Sequence, residues 1–253
     1  MPTLPNMTNV GQSKSAKAPV PKRIYFVPYQ TARWLHRLHG RCAVCGLARH
    51  QGVICQTCRS VIPQRVPARQ LTLDTAMTTT RTVRLYPVSY YQYPVNRLIT
   101  RLKDHEDVVA LMALGELLRT MPKPSVCHAD NTVIIPVPTT TSRIRQRGFD
   151  PVLLLAKHLA HQWQLPIWQG LIRHGGKVHQ RGLDKQARMA NIQGDFEMIG
   201  KVQATYAIIF DDVATTGTTL QAIAKAVLAK QPTLKLMAIC MAHGSPMMGL
   251  PVA

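Results

Sequence analysis

Apolar and polar positions follow two different periods in the chain beyond residue 95. Short continuous apolar runs are typical of strands buried on both faces of a parallel sheet. They lie at 132–137, 167–172, 207–210 and 234–241. Apolar residues at helical spacing fill the stretches 95–118, 150–159 and 220–228, and a polar joint at 103–107 divides the first of these into two helices. The alternation predicts an α/β fold with an open, mainly parallel sheet flanked by helices.

The residues before this region have another character. Residues 1–23 are polar, Pro-rich and without periodicity, which predicts a flexible basic tail. The tail lacks the apolar segment of a secretory signal, and no run of about 18 apolar residues that could span a membrane occurs in the chain. We therefore expect a cytoplasmic protein with three parts: the tail, a small cysteine module at 24–80 and the α/β domain at 81–253.

The net charge of +19 is concentrated in the N-terminal part of the chain. Residues 1–100 contain 14 Lys and Arg and a single acid, Asp74, whereas residues 101–253 contain 17 basic and 11 acidic residues. A solvated surface explains many charge runs, but a region this poor in acids favours a polyanionic partner. Nucleic acid is a better candidate than a membrane surface, because the region has no basic amphipathic helix with a clean apolar face.

Four of the six cysteines form two CxxC pairs, Cys42 with Cys45 and Cys55 with Cys58. Four thiolates spaced in this way can surround one tetrahedral Zn²⁺, and disulfides are disfavoured in a cytosolic chain. We expect a structural zinc module here, with an iron–sulfur cluster as the alternative. Its basic surroundings favour a platform for nucleic acid. The candidate contacts are Arg41, Arg49, Arg59, Tyr90 and Tyr91, of which the tyrosines could instead line a core or a domain junction.

Two acids and a loop of small residues follow the apolar run at 207–210. Asp211 and Asp212 come where this strand is predicted to leave the sheet, and open α/β sheets bind ligands at the carboxyl ends of their strands. The loop then opens a helix, which directs N–H groups, hydroxyls and the helix dipole at one place suited to a phosphate. Its residues are Ala214, Thr215, Thr216, Gly217, Thr218 and Thr219. Because carboxylates suit ribose hydroxyls or a bound Mg²⁺, the stretch predicts a sugar-phosphate site.

A second anion site is predicted at the end of the strand at 132–137. The strand runs into a turn rich in Pro and hydroxyl groups and then into three arginines, which suit an anion. The candidate residues of this loop are Val137, Pro138, Thr139, Arg143 and Arg147. The basic, glycine-containing segment at 173–194 is typical either of a mobile lid that excludes water or of a solvated surface loop. Its candidate residues are Gln180, Lys185, Arg188 and Asn191.

Taken in order, these motifs resemble the ComF family of competence proteins over roughly residues 40–245. They are the two CxxC pairs, the Tyr-rich segment, VPTTTSRIRQRGF, the basic segment ending at 188–196 and DDVATTGTT. The last is also similar to the phosphoribosyl pyrophosphate (PRPP) motif of type I phosphoribosyltransferases. The resemblance implies a zinc finger joined to a type I phosphoribosyltransferase-like fold. It also implies a role in handling single-stranded DNA during natural transformation, near a DNA-translocating helicase.

The resemblance also implies roles for individual residues. The four paired cysteines would be the zinc ligands, Asp211 and Asp212 would contact the ribose hydroxyls, and the loop from Thr215 to Thr219 would hold the 5′-phosphate of PRPP. Arg143 and Arg147 would stand beside the pyrophosphate, with Mg²⁺ accompanying PRPP. Two positions depart from the family pattern: Asp104, where an aromatic residue is more common, and Asp150, where Asn is common.

Three functions fit these observations. The first is a DNA-handling protein that uses a PRPP site as a binding or regulatory element, and it accounts best for the basic N-terminal part. The second is a phosphoribosyltransferase in which a nitrogen nucleophile displaces pyrophosphate from ribose C1, although no residue set defines the acceptor. The third is a transcription regulator on the same fold, which would prefer one duplex sequence.

Overall fold

The computed structural model describes residues 40–47, 52–63, 65–73, 81–174 and 195–244. Their main feature is a five-stranded sheet in the order β1-β2-β7-β6-β3. Its strands are β1 (Arg69–Leu73), β2 (Arg81–Tyr90), β3 (Thr132–Pro136), β6 (Tyr206–Ala214) and β7 (Lys235–His243). All neighbours pair in parallel except β1, which runs antiparallel to β2. A separate antiparallel pair is formed by β4 (Leu171–Arg173) and β5 (Phe196–Met198).

Six helices accompany these strands in the described part of the chain. They are α1 (Gln56–Ser60), α2 (Val95–His105), α3 (Val108–Leu118), α4 (Thr141–Arg147), α5 (Pro151–Trp163) and α6 (Thr218–Lys230). Helix α2 packs against β2 and α3, α3 packs against α5, and α5 packs against β3 and β6, while α6 packs against β1, β5 and β6. The predicted α/β fold with an open, mainly parallel sheet flanked by helices is confirmed by this arrangement.

The burial of each element follows from its sequence pattern. Strand β3 is buried at all five positions, and β6 is buried from Ala207 to Asp212, as expected for strands covered on both faces. Helix α2 buries Val95, Leu98, Ile99 and Leu102, which recur at the spacing that puts side chains on one face of a helix. Because β6 lies between β7 and β3, its carboxyl end meets those of both neighbours.

Some element boundaries differ from those predicted. Strand β6 continues through both acids to Ala214, because its pairing with β7 continues to Ala214 opposite His243. The run at 167–172 yields only the strand Leu171–Arg173, while Ile167 makes an isolated bridge to Ile134. Strand β1 lies within the range 24–80 that the sequence assigned to the cysteine module, yet it pairs with β2 in the main sheet.

Candidate functional site: a cysteine cluster and an anion cavity

The four paired cysteines converge on one point. Their Sγ atoms all lie within 4.8 Å of one another, and those of Cys45 and Cys55 are 3.9 Å apart. Tetrahedral Zn–S bonds of about 2.3 Å would place sulfur atoms roughly 3.8 Å apart. Four sulfur donors at this separation can hold a metal ion, and they fit the tetrahedral geometry that zinc prefers.

Backbone N–H groups donate hydrogen bonds to two of these sulfur atoms. Cys42 Sγ accepts hydrogen bonds from the N–H groups of Val44 at 3.5 Å and Cys55 at 3.3 Å, and Cys55 Sγ accepts one from Cys58 at 3.4 Å. Burial opposes ionisation of the Cys42 thiol, but the surrounding N–H groups outweigh burial and lower its pKa to about 6. The local chain conformation therefore stabilises the thiolate of Cys42, whereas burial and the neighbouring cysteine side chains raise the pKa of the Cys58 thiol.

Glu116 of α3 fastens the cysteine module to the α/β domain. Its buried carboxylate accepts a hydrogen bond of 2.7 Å from the N–H of Val53 and forms an ion pair with Arg59. Gly52 leaves room for this carboxylate, because a Cβ at this position would lie 2.8 Å from Glu116 Oε1 and its φ is +72°. The nucleic-acid candidate Arg59 thus has a structural partner.

Arg101 of α2 makes a second connection between the two parts. Its guanidinium donates to the carbonyl oxygen of Ala43, between the first two cysteines, and to Asp107 Oδ2 at 2.8 Å through Nε. The same Asp107 caps the start of α3 by accepting from Val109 and Ala110. Helices α2 and α3 are therefore both joined to the cysteine module.

The two acids of the predicted sugar-phosphate motif lie in β6 near its carboxyl end. Asp211 and Asp212 are 8% and 6% exposed, and Asp211 Oδ1 accepts a hydrogen bond of 2.8 Å from the backbone N–H of Asp212. Burial and the neighbouring charge of Asp212 raise the pKa of the Asp211 carboxyl to about 7. Two buried carboxylates side by side are costly for the fold unless a cation or hydrogen-bond donors face them.

The predicted second anion loop is a loop followed by a helix. Val137, Pro138 and Thr139 continue from β3, and the N–H of Val137 still donates to the carbonyl of Phe210 in β6 at 2.9 Å. The arginines then lie on helix α4, whereas the sequence indicated a loop throughout. Arg143 is exposed, and Arg147 is half-buried in the last turn of α4.

A cavity of about 240 Å³ joins the acids to these arginines. All seven residues predicted for the pyrophosphate loop and the ribose contact line it, together with six residues that were predicted for neither role. The lining comprises Lys103, Val137, Pro138, Thr139, Arg143, Arg147, Pro151, Val152, Arg173, Asp211, Asp212, Val213 and Thr219. Four cationic side chains and two carboxylates thus face one concave site, which suits an anionic ligand that also carries hydroxyl groups.

The predicted 5′-phosphate loop borders this cavity. Among its six residues only Thr219 lines the cavity, while Thr215 and Thr216 are exposed beside it. Gly217 adopts φ +73° at the start of α6, a conformation that disfavours other residues. No side chain caps this helix, so its first N–H groups lie open at the loop.

Two basic residues of the cavity were not among the candidate residues predicted for an anion site. Lys103 Nζ lies 2.7 Å from Asp212 Oδ2, although its position on α2 is more than 100 residues from the acids. Arg173 ends β4, is 5.3 Å from the centroid of the Phe196 ring and lies 3.7 Å from Asp195. Arg173 begins the basic segment at 173–194 that was predicted as a lid or a surface loop, and no spacing pattern indicated that Lys103 contacts Asp212.

The remaining candidates lie at the carboxyl ends of the strands, on the cysteine module or outside the described residues. Tyr90 ends β2 and is in register with His243 of β7. His243 is in turn in register with Ala214 of β6, so the tyrosines lie at the same carboxyl ends of the strands as the phosphate loop. Tyr91 is 38% exposed, and Arg41 is exposed on the cysteine module. The following lie outside the described residues: the tail at 1–23, Arg49, and the lid candidates Gln180, Lys185, Arg188 and Asn191.

Comparison with known proteins identifies the family. DNA utilization protein YhgH of Shigella flexneri is 30% identical over 210 residues, which cover 79% of this chain and 83% of that protein. The chain belongs to the family of YhgH and competence protein F. YhgH of Salmonella typhimurium is 29% identical over 83% of this chain and 87% of its own length. Competence protein F of Haemophilus influenzae is 29% identical over 54% of this chain and 63% of its own length.

The solved structures that match this family member are phosphoribosyltransferases. A hypoxanthine phosphoribosyltransferase from Staphylococcus aureus matches with a TM-score of 0.28 and 11% identity, covering 60% of this chain and 66% of that one. The xanthine-guanine-hypoxanthine enzyme of Helicobacter pylori matches with a TM-score of 0.28 and 15% identity over 63% and 88% of the two chains. No family model matches the chain. Among the described helices, none is both long and apolar enough to cross a membrane.

Proposed function

We propose that this chain is a cytoplasmic DNA-handling protein that binds single-stranded DNA and uses a PRPP-type site as a binding or regulatory element. The family names, DNA utilization protein and competence protein, support a role in the use of DNA. On this proposal the incoming strand of natural transformation is the macromolecular ligand, and a competence DNA helicase is a candidate partner.

The observation that carries the PRPP site is the composition of the cavity. Asp211 and Asp212 offer acceptors for ribose hydroxyls, and Arg143, Arg147 and Arg173 offer donors for a diphosphate. The open N–H groups at the start of α6 offer a separate place for a 5′-phosphate. PRPP carries these three groups in one molecule, with a diphosphate at C1 and a monophosphate at C5. Mg²⁺ bound with it would neutralise the charge of the diphosphate.

We assign zinc to the cysteine cluster and a structural role to the metal. Four cysteines leave no open coordination position for a substrate, so the metal would order the chain around it and perform no reaction. Arg41 is exposed on this module, and the tyrosines lie at the sheet edge beside the phosphate loop. A strand that contacts both would meet positive charge on the module and an aromatic stacking surface at the tyrosines.

The decisive experiment is fluorescence anisotropy of labelled oligonucleotides titrated with the metal-loaded protein. Single- and double-stranded probes are compared at two salt concentrations, with and without Mg²⁺ and PRPP. We expect tighter binding of the single strand, a strong decrease with salt and a change on adding PRPP. Failure of every oligonucleotide to bind at moderate salt would remove the DNA role.

Residue contributions are tested with the same titration. Tyr91→Ala should weaken single-strand binding about fivefold, because stacking of one base is worth about 1 kcal/mol or more. Tyr206→Ala serves as the control, since Tyr206 begins β6 at the opposite end of the strand. Arg41→Glu should weaken binding and lower the salt slope. A preference for one duplex sequence would instead favour a transcription regulator.

A phosphoribosyltransferase that acts on a small nitrogen nucleophile is the second candidate. The observation that favours it is the enclosure of the acids, which are less than a tenth exposed and sit inside a cavity rather than on an open surface. In that reaction the nitrogen lone pair forms a bond to ribose C1, the C1–O bond breaks, and pyrophosphate leaves with the electron pair. Release of pyrophosphate from PRPP in the presence of ammonia or simple amines tests it directly.

A further inference from the structure

The last turn of α2 reaches across the anion cavity through two consecutive residues. Lys103 places its ammonium 2.7 Å from Asp212 Oδ2, which is the distance of a direct charged hydrogen bond. Both side chains are largely withdrawn from water, with exposed fractions of 26% and 8%. This ion pair therefore satisfies one of the two buried carboxylates that the fold places side by side.

The next residue makes the opposite contact. The Asp104 carboxylate lies 3.7 Å from the Arg147 guanidinium, which is 26% exposed and belongs to the cationic side of the cavity. Asp104 itself is 54% exposed, so this contact is weaker than that of Lys103. One helical turn thus supplies a cation to the acidic side of the cavity and an anion to its basic side.

We propose that α2 places its own charges where a ligand would bind, with Lys103 standing in for a divalent cation at Asp212 and Asp104 standing in for a phosphate group at Arg147. The proposal rests on the proposed function, because it names what a cation and a diphosphate displace when they bind. Lys103 and Asp104 then determine which ligands enter: a divalent cation alone meets an occupied carboxylate, whereas a cation that arrives with a diphosphate offers Lys103 a new partner.

Electrostatics makes the two occupants of Asp212 mutually exclusive. An ammonium 2.7 Å from a carboxylate oxygen fills the position that a coordinated cation needs, and two cations at that oxygen would repel each other in a poorly solvated cavity. Arg173 also lines the cavity, so the positive charge of Arg173 remains there when Lys103 is replaced. Once displaced, Lys103 remains beside Arg143 and Arg147, where its ammonium adds to the charge that holds a diphosphate.

The first test measures binding of Mn²⁺ alone, without phosphate, to the metal-loaded full chain by electron paramagnetic resonance. Mn²⁺ prefers oxygen ligands and does not compete with zinc for thiolates. Lys103→Met should bind Mn²⁺ at least tenfold more tightly than wild type. Lys103→Arg, which keeps the positive charge, should stay at the wild-type affinity.

A double variant localises this gain. Lys103→Met combined with Asp212→Asn should lose the added Mn²⁺ affinity, since the carboxylate that the Lys103→Met substitution exposes is then absent. Lys201→Met is the control for losing a positive charge elsewhere, because Lys201 is exposed and does not line the cavity. Equal Mn²⁺ affinities in wild type and Lys103→Met overturn the role of Lys103. Lys103→Gln replaces the Met variant if the latter does not fold.

The second test measures binding of inorganic pyrophosphate by calorimetry in the absence of divalent cations. Asp104→Asn should tighten binding about threefold, because Arg147 no longer has a competing anion. The matched control is Glu106→Gln, which removes an equal charge from an exposed position two residues away that does not line the cavity. Equal gains in both variants reduce the effect to general charge and overturn the role of Asp104.

These outcomes are distinguishable from failure of the proposed function. If wild type does not bind PRPP, the PRPP site falls, while the Mn²⁺ comparison still reports on Lys103. If wild type binds PRPP and none of the α2 variants changes Mn²⁺ or pyrophosphate binding, the PRPP site stands and self-occupation is refuted.

Discussion

The cysteine cluster and the anion cavity are built in opposite ways. The cluster takes all its ligands from residues 42–58, and backbone N–H groups favour the thiolate of one of them, Cys42. The cavity draws on four helices (α2, α4, α5 and α6), on β4 and β6 and on the loop after β3. Its residues are scattered from Lys103 to Thr219, and like charges are crowded together on each side. A closed set of matched donors is typical of structure, whereas unsatisfied charge in a concave site is typical of ligand binding.

The largest effect is expected at the closed site. Cys42→Ser removes one of four ligands and should release the metal, whose binding in such sites contributes on the order of 10 kcal/mol to folding. Metal analysis after dialysis should show loss of the bound ion, and the melting temperature should fall. Cys127→Ala is the control, because Cys127 is buried outside the cluster. Undiminished metal content in Cys42→Ser would refute the ligand assignment.

The second prediction concerns the pH dependence of folding stability that the buried Asp211 carboxyl produces. The pKa of Asp211 is raised from an ordinary 3.8 to about 7, so between these values the folded state binds more protons than the unfolded state. Its contribution to stability is therefore lost as pH rises through this window, by on the order of a few kcal/mol.

Denaturant unfolding at several pH values checks this sign. Asp211→Asn should gain stability relative to wild type as pH rises from about 4 to above 7, and the exposed control Asp130→Asn should run parallel to wild type. The buried His158 acts in the opposite direction, because its lowered pKa of about 4 costs stability only as pH falls. Since His158 is present in every variant, the difference between curves isolates Asp211. Parallel curves for Asp211→Asn would contradict the prediction.

The third prediction tests the ribose contact. Replacing both acids, Asp211→Asn with Asp212→Asn, should weaken PRPP binding at least about 100-fold, since hydrogen bonds to charged groups are worth about 1.5–3 kcal/mol each. Folding should persist, because the change removes two crowded carboxylates. Calorimetry with Mg²⁺ and PRPP measures the loss, and Asp130→Asn again serves as the control. An unchanged affinity would eliminate the ribose role.

The smallest effect is expected within one helix. Arg147 lines the cavity and Arg145 does not, although both lie on α4. Arg147→Ala should weaken pyrophosphate binding about tenfold, the value of one charged contact of about 1.4 kcal/mol, and Arg145→Ala should change it little. Similar losses in the two variants would mean that the helix acts through its overall charge and not through a positioned guanidinium.

The difference between the two regions also explains what the sequence could predict. The CxxC pairs and the acids before the TTGTT loop are local motifs, so spacing alone indicated a metal site and a ligand site. The predicted runs at 132–137 and 234–241 became β3 and β7 because their apolar residues are buried. Helix α4 was missed because it buries none of its residues and therefore shows no apolar stripe.

Contacts between elements that are far apart in the chain could not be predicted from the sequence. Lys103 lies in the last turn of the amphipathic helix α2 and looks like an ordinary solvated lysine until α2 is placed against the carboxyl end of β6. Glu116 lies in a strongly apolar helix, where a single acid gives no hint that it binds Val53 and Arg59 of the cysteine module. Proximity of this kind depends on packing rather than on spacing.

Helix α2 carries Arg101, which holds the carbonyl of Ala43, and two residues later Lys103, which holds Asp212. The two sites therefore share one rigid element, and thermodynamic reciprocity applies to them. Whatever free energy the bound metal adds to the affinity of the cavity ligand, the cavity ligand adds in equal amount to the affinity of the metal. If α2 transmits such a coupling, the metal and the cavity ligand are two inputs to a single equilibrium.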